Sequence, residues 1–436
     1  MIQRLDTTAT DFSDSLSDLL KLPEESHADI RARVRGILDA VKANGDSEVL
    51  ALTLQFDHMR VSSVAELEIS QAEMAEALTR VDPLVVEALE QSVNRVRYYH
   101  EQQLAATGGT GEWQYTDELG NRLGQIVRGM ERVGVYAPGG KACYPSTIIM
   151  TAVPAKVAGV AEVILTVPTP NNEVSDVLLA AASLSGVDRM FRIGGAQAIG
   201  ALAFGTETIP RVDKIVGPGN IYVATAKEMV FGQVGIDMIA GPSEVVIVAD
   251  ETVEVDWLVM DMFAQAEHDE MAQSILISTS SKLLDRVAER IPQMLENMSR
   301  KNIIQQAMHD RGALILVRDL QDAQDVVNQI APEHLELAIV EPEKFVSGVR
   351  HAGAIFVGAA TAEVVGDYTA GPSHVLPTSG TARFASPLGV YDFLVRSSLV
   401  HCSARGSVQL SRGAAILAEE EGLEAHGKSA QYRVQG

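Results

Sequence analysis

Between Arg132 and Val357 short apolar runs alternate with segments of helical periodicity, and no other feature of the chain restricts its fold as strongly. Val133-Gly134-Val135-Tyr136, Val163-Ile164-Leu165-Thr166-Val167, Met190-Phe191-Arg192-Ile193 and Lys214-Ile215-Val216 each run into a glycine or proline turn. Helical patterns follow, through Ile148, Met150, Val153 and Val157, from Ser175 to Leu184, through Ile199 and Leu202, and through Val223, Ala226 and Met229. Strands and helices alternating at such short intervals mean βαβ units on a parallel sheet. Residues 133–240 therefore read as one α/β unit. The alternation restarts at Val245-Val246-Ile247-Val248, with further strands at 274–278, 313–317 and 354–357 and helices near 255–265, 282–294 and 323–330, which predicts a second unit. A chain of 436 residues is too long for one ordinary core, so two or more domains are expected on size as well. Residues 26–103 read mostly as helical scaffold, with a stop at Asn44-Gly45-Asp46. After Pro387 the chain turns acidic and helical, through Glu419-Glu420-Glu421 to His426.

Charge and cysteine content narrow the partners. Thirty-five Lys and Arg against 58 Asp and Glu give a net charge of -23, a field that repels nucleic acid and anionic membranes. No basic-then-apolar leader opens the sequence and no apolar run reaches membrane-spanning length, so a cytoplasmic protein with a small-molecule partner is expected. Cys143 and Cys402 are the only cysteines, too few for a disulfide framework or a thiolate zinc knuckle, which leaves His, Asp, Glu or amide side chains as metal ligands. With Lys141 as its only basic neighbour, Cys143 reads as a packed thiol rather than a nucleophile.

Three polar clusters punctuate the apolar segments and are read as one site: Gln265-Ala266-Glu267-His268-Asp269, Ala331-Pro332-Glu333-His334-Leu335 and Gly366-Asp367-Tyr368 with His374 beyond it. The first two lie at the ends of helical patterns. The third follows the strand Ala354–Val357 in a Gly/Pro-rich loop, and is expected at that strand's carboxyl end, where open α/β sheets bind ligands. Gln265 and His268, spaced i, i+3, share a helix face and could reach one ion, although surface pairs with this spacing are common. Asp367 could add an oxygen ligand and His268, His374 or His426 a nitrogen, a mixed set that suits zinc or manganese. In Glu333-His334 an imidazole that titrates near neutrality stands beside a carboxylate that could deprotonate water; in isolation the same pair would serve as a solvated helix end. Glycine turns after Tyr136, before Gln197 and before Asn220 fall at strand-to-helix junctions whose free N–H groups favour anions, or are simply tight turns. Gly217-Pro218-Gly219 does not complete a Gly-x-Gly-x-x-Gly fingerprint, because Tyr222 holds the last position.

Taken together, these segments resemble the histidinol dehydrogenase family over nearly the whole chain. Arg132–Gly140, Gly194-Gly195-Ala196-Gln197-Ala198, Gly217-Pro218-Gly219-Asn220, Gly241-Pro242-Ser243-Glu244-Val245, Gln265–His268, Ala331–Leu335, Gly366-Asp367-Tyr368, His374–Pro377 and Ser386–Val390 carry the resemblance in this order. It implies two Rossmann-like parallel-sheet domains with a helical N-terminal segment and a C-terminal tail: 1–28 as the segment, 29–132 with 243–388 as the domain carrying most of the site, 133–242 as the NAD-facing domain, and 389–436 as a tail exchanged between the subunits of a homodimer. It further implies oxidation of L-histidinol to L-histidine through the aldehyde, with two NAD reduced in turn and one zinc per subunit. Glu333 and His334 match its catalytic pair, and Gln265, His268, Asp367 and His426 its zinc ligands. Ser243 and Glu421, with Gln265, His268, His334, Asp367 and His426, match substrate-contacting positions, and Tyr136, Gln197 and Asn220 those facing the dinucleotide. Gly371-Pro372-Ser373-His374 departs from the commoner Gly-Pro-Asn-His without touching a ligand position. The alternatives are a paralogous zinc- and NAD-dependent dehydrogenase of another small polyol or amino alcohol, and a nucleotide-binding regulator with no need of Glu333-His334.

Overall fold

In the computed structural model, which describes residues 2–21, 27–139 and 144–435, the alternation builds two six-stranded sheets. Cys143, with Gly140 and Lys141, lies outside the described residues. The first sheet has the strand order Gln3–Asp6, Ala313–Leu316, Gln273–Ser278, Glu244–Ala249, His334–Ala338, Ala354–Val357, all parallel. Its central strands, Glu244–Ala249 and Gln273–Ser278, are buried at every position, as parallel strands covered by helices on both faces must be. Val245, Ile247 and Leu276 pack on one face with the helix Val255–Ala266, while Val246, Val248, Ile275 and Ile277 pack on the other with Leu320–Ile330.

The second sheet runs Glu68–Ile69, Arg189–Phe191, Glu162–Thr166, Arg132–Tyr136, Lys214–Val216, Gly235–Ile236, parallel except for its first strand. The helix His27–Asn44 buries Val34, Leu38 and Val41 against this sheet, in one core with Ile199, Leu202 and Val223. Pro83–Ala106 packs Val93 and Val96 on Ile149, Val153 and Ala181 of the same half. Much of the 29–132 segment thus clothes the 133–242 sheet rather than joining the 243–388 domain as expected, because a stripe such as Val34/Leu38/Val41 fits any apolar face and does not name its sheet. The expected N-terminal segment 1–28 likewise contributes a strand, Gln3–Asp6, to the first sheet.

A third, antiparallel sheet, Leu394–His401, Arg122–Gly129, Gly111–Thr116, was not foreseen. Leu394–His401 replaces the start of the expected helical tail. Two helices follow, Ala404–Glu420 and Glu424–Gln435, and they pack on each other with only Gly406, Ala418 and Gly427 buried. Leu410, Ile416, Leu417, Leu423 and Tyr432 are exposed on them. Among the described residues no helix is long and apolar enough to cross a membrane.

The root of the tail is fixed by Asn121, which is fully buried. Its Nδ2 donates to Asp117 Oδ2 at 2.9 Å, and its Oδ1 accepts from Ser403 N at 3.0 Å. Ser403 Oγ donates to Leu119 O at 2.6 Å and caps the helix by accepting from Gly406 N at 2.9 Å. Asn121→Ala removes both contacts of the buried amide, so the tail root should lose local stability. Hydrogen exchange checks this: amides 403–406 should exchange faster while the two large sheets keep their protection, and unchanged exchange would mean that the tail is held elsewhere.

Candidate active site

Glu244–Ala249 and His334–Ala338 are neighbours from which the first sheet is built outward in opposite directions, and their register pairs Val245 with His334. Glu333 and His334 therefore stand beside Glu244 at the amino ends of the strands. This corrects the expectation that the site lies at a carboxyl end. After the strand Ala354–Val357 the chain folds back through the short helix Glu363–Tyr368. Glu363 N donates to Glu336 Oε1 at 2.6 Å halfway along the neighbouring strand, and Asp367, one turn later, reaches the level of His334 with its Oδ1 at 3.9 Å from Nε2. Gly366 permits this return, since a Cβ there would sit 2.4 Å from the Phe356 ring. Ser92 Oγ donates to Tyr368 O at 2.5 Å and holds the end of the turn.

Glu333-His334 follows a helix end, as expected, but the pair is buried rather than solvated. The preceding helix stops at Ile330, Ala331 takes a left-handed φ of 53°, and His334 opens a strand. Glu244's own peptide holds both side chains: its N–H donates to Glu333 Oε2 at 2.8 Å, and its carbonyl lies 3.0 Å from His334 Nδ1. Glu363 Oε1 is 3.4 Å from the same nitrogen. Oxygen acceptors on this side require the proton on Nδ1 and leave the Nε2 lone pair bare. Nε2 is buried with no hydrogen-bond partner among the described residues.

Gln265 ends the helix Val255–Ala266 and is wholly buried, and its Oε1 lies 3.0 Å from His268 Nδ1. That contact fixes His268 with Nδ1 inward and Nε2 free for a ligand. Gln265 Nε2 approaches His334 Nδ1 at 3.5 Å, so the first two clusters meet. Ser243 directly precedes Glu244 at the same edge, half-buried. His374 is near enough to His268, His334 and Asp367 to interact with them electrostatically, and its Nε2 is also buried without a partner.

Burial dominates the electrostatics. It holds the Glu333 carboxyl well above the usual carboxylate range, opposed by the Glu244 N–H and reinforced by Glu244 and Asp367. It lowers His334 to about 4, against the pull of Asp367 and the Glu244 carbonyl, so the imidazole is neutral near pH 7. Glu244 is pushed up to about 7 by burial, with Ser379 N–H and Arg311 opposing. Glu363 is raised by burial and then by Asp367, Glu336 and Glu333; Glu336 and Asp261 are raised by burial as well. Sequence reasoning singled out none of Glu244, Glu336, Glu363 and Asp261 for the site. Two signals were present: Glu363 lies i, i+4 from Asp367, and Glu336 lies two residues from His334, on the same face of a strand. His334, Glu363 and Asp367 bring ligand atoms within 4.8 Å of one another and could together hold a metal ion. This set shares only Asp367 with the expected ligands.

Tyr136, Gln197 and Asn220 lie at strand-to-helix junctions along the carboxyl edge of the second sheet. Tyr136 ends Arg132–Tyr136, and its hydroxyl accepts from Gly195 N at 3.2 Å; Gln197 is buried in the helix that Gly195 opens. Asn220 caps the helix Ile221–Val230, its Oδ1 accepting from Tyr222 N at 3.1 Å and Val223 N at 3.2 Å. The strands Arg132–Tyr136 and Lys214–Val216 flank the point where this sheet reverses its strand order. Residues 237–243 lead from this half to Glu244, and the segment after Asp367 returns to it: Ser373 Oγ donates to Met150 O at 3.0 Å, and Val375 joins the core of Val133 and Val135. Glu421 and His426 are exposed at the tail helices, and among the described residues neither makes a hydrogen bond or ion pair with this cluster.

The His334 assignment predicts a pH effect. A neutral imidazole in the fold and an ordinary one near 6.5 in the unfolded chain mean that the unfolded state binds the extra proton between these values. The stability associated with His334 is therefore complete above about 6.5 and is lost as pH falls toward about 4, a change of about 3 kcal/mol. In chelator-treated protein, ¹⁵N NMR should show the Nδ1–H tautomer at pH 7, and stability should fall more steeply over this window than in His334→Asn. An imidazole titrating near 6.5 would contradict the assignment.

The chain is similar to known proteins in sequence and in fold. Residues 20–434 match the family model described as histidinol dehydrogenase. Histidinol dehydrogenases of Pseudomonas putida and Pseudomonas aeruginosa are 53% and 54% identical over 433 residues, covering 99% of this chain and 97% of each relative. The crystal structure of histidinol dehydrogenase from Elizabethkingia anophelis superposes with a TM-score of 0.91 at 30% identity, over 100% of this chain and 98% of that one. With a match of this extent in sequence and in fold, the chain belongs to the histidinol dehydrogenase family.

Proposed function

We propose that the chain oxidises L-histidinol to L-histidine through L-histidinaldehyde, reducing two NAD in turn with one zinc per subunit, as the last steps of histidine biosynthesis in the cytoplasm. The observation that carries this reading is the pairing, on one buried edge, of an imidazole whose Nε2 is bare with a carboxyl of raised pKa, beside Asp367 and the Gln265–His268 pair.

The donor set fits a zinc ion. His268 Nε2, Asp367 and the Gln265 carbonyl are nitrogen and oxygen ligands of the kind zinc accepts. Around them, among the described residues, the buried His334 Nε2, His374 Nε2 and Glu363 Oε2 have no hydrogen-bond partner, and the carboxyls of Glu333, Glu363 and Asp367 disfavour one another's ionisation, a conflict that a cation would relieve. Gln265, His268 and Asp367 would hold the ion, with His426 supplied by a second copy of the chain. When bound, zinc supplies a positive charge that fixes the substrate and its aldehyde in place, and NAD supplies the hydride acceptor.

The remaining work falls to the chain. His334 Nε2 accepts the proton of the alcohol hydroxyl as hydride leaves the carbon, and the Nδ1–H held by the Glu244 carbonyl steadies the imidazolium that forms. Glu333, ionised, takes a proton from water as the oxygen adds to the aldehyde. Once His334 has released its first proton to solvent, the hydrate anion gives its hydroxyl proton to His334 as the second hydride departs, leaving the carboxylate, and Glu333 and His334 then return their protons to solvent. Ser243 stands at the same edge to contact the substrate. Tyr136, Gln197 and Asn220 face the dinucleotide from the opposite sheet.

Histidinol-dependent NADH formation by the purified protein, with two NADH per histidine, tests the reading, and its absence from zinc-loaded protein would exclude it. The roles separate by half-reaction. Glu333→Gln should slow oxidation of added aldehyde by about 10²–10⁴-fold and alcohol oxidation far less, whereas His334→Asn should slow the alcohol step by a comparable factor. Equal losses in both steps for both variants would overturn the assignment.

The exposed position of Glu421 and His426, on helices whose apolar side chains have little of their own chain to cover them, supports a homodimer in which each tail completes the partner's site. Mixing His426→Ala with His334→Asn subunits then creates heterodimers with one doubly altered site and one intact site. About half of wild-type activity per heterodimer should return. With heterodimers confirmed by native mass spectrometry, no recovery would mean that His426 serves its own subunit.

A further inference from the structure

We propose that Lys227 and Asp237 are a positioning pair that shapes the Gly217 turn for the dinucleotide and ties it to the segment entering the catalytic edge; this rests on the reading of that turn as NAD-facing. Gly217 follows the strand Lys214–Val216, at the point where the second sheet reverses its strand order, and adopts φ 109°. A Cβ there would lie 2.1 Å from the Tyr136 carbonyl oxygen, so the turn passes against the end of the neighbouring strand with no space between them. In such a turn the orientation of the peptide groups decides which N–H groups face outward, and two side chains fix it here. Asp237 Oδ2 accepts from Gly217 N at 2.7 Å, and Lys227 Nζ donates to Gly217 O at 2.8 Å. Lys227 and Asp237 also pair directly, with side chains 2% and 1% exposed.

The pair is placed to do more than stabilise. Lys227 projects from the helix Ile221–Val230, whose first turn Asn220 caps, so it reaches back under the turn from which its own helix springs. Asp237 is the first residue after the strand Gly235–Ile236, and its Oδ1 also accepts from Met238 N at 2.7 Å. The same carboxylate thus fixes the turn at one end and, at the other, opens the segment 237–243 that delivers Ser243 and Glu244 to the catalytic edge. A charged pair so deeply buried is a poor source of net stability, since an apolar pair of similar volume often serves as well. What an apolar pair cannot do is hold the Gly217 N–H and carbonyl in a set direction.

That difference supplies the test. NADH binding to the wild-type zinc enzyme is measured first by fluorescence titration; no binding would remove the NAD reading and this inference with it. Lys227→Met, Asp237→Asn and the apolar double variant Lys227→Met/Asp237→Leu are then compared for Tm, zinc content, KM for histidinol, KM for NAD and kcat. Lys227→Met should melt early, and the double variant should recover most of the lost Tm. In both, and in Asp237→Asn, KM for NAD should rise at least about tenfold, with KM for histidinol and kcat at saturating NAD within about twofold of wild type. A double variant with restored Tm and wild-type KM for NAD would overturn the proposal and leave the pair a structural one. If the double variant does not fold, Asp237→Asn decides alone: it keeps an acceptor for Gly217 N–H but weakens the hold on Lys227, and a wild-type KM for NAD there would overturn the proposal equally.

Discussion

The site depends on the peptide of Glu244. Its N–H and carbonyl, at the first position of a central strand, engage the carboxyl of Glu333 and the imidazole of His334 from the neighbouring strand. Burying a carboxyl or an imidazole without partners is strongly unfavourable, and here the backbone of a rigid sheet offsets part of that penalty while setting both orientations. The same contacts leave His334 with its lone pair on the side of Asp367, while burial raises the Glu333 carboxyl well above the usual carboxylate range against the pull of the Glu244 N–H. A register shift of one residue between the two strands would break both contacts at once, so the pairing of Val245 with His334 sets the geometry of the candidate site as well as that of the sheet.

What could be read from the sequence follows from how each element is buried. The central strands stand out as apolar runs because helices cover both faces, and they were legible. Gly111–Thr116 is exposed along its whole length and Leu394–His401 along most of it, so neither shows an apolar run and both went unrecognised. His334–Ala338 is fully buried but carries Glu336 at its centre, which interrupts the run that would have marked it. Gln265, His268, Glu333, His334 and Asp367 were legible as motifs, and they come together. Glu363 and Glu336 were not, because an acidic residue in sequence looks like solvated surface until the fold shows it buried. The direction of approach was also hidden: only the return of the chain through Gly366 carries Asp367 from the carboxyl end of one strand to the amino end of the next.

Buried carboxyls this close to one another disfavour their own ionised forms, so the cluster is a strained arrangement for the protein by itself. Such strain is tolerable on a scaffold whose two sheets are packed from both faces, and it is concentrated where a cation would relieve it. The formal net charge of the chain, -23, is a separate matter; it concerns which macromolecules stay away.

The opposed polarity of the two sheet edges has a consequence for ligands of opposite sign. Helices beside the second sheet's carboxyl edge begin there, at Gly195 and Ile221, and direct the positive ends of their macrodipoles toward whatever binds. The helix that carries Gln265 ends at the first sheet's amino edge and directs its negative end there. A ligand that reached both edges would meet a built-in field, favouring negative charge at the second sheet and positive charge at the first before any side chain contributes. With carboxyl edges in both places, both would have preferred anions, and any cation would have had to be held by side chains alone.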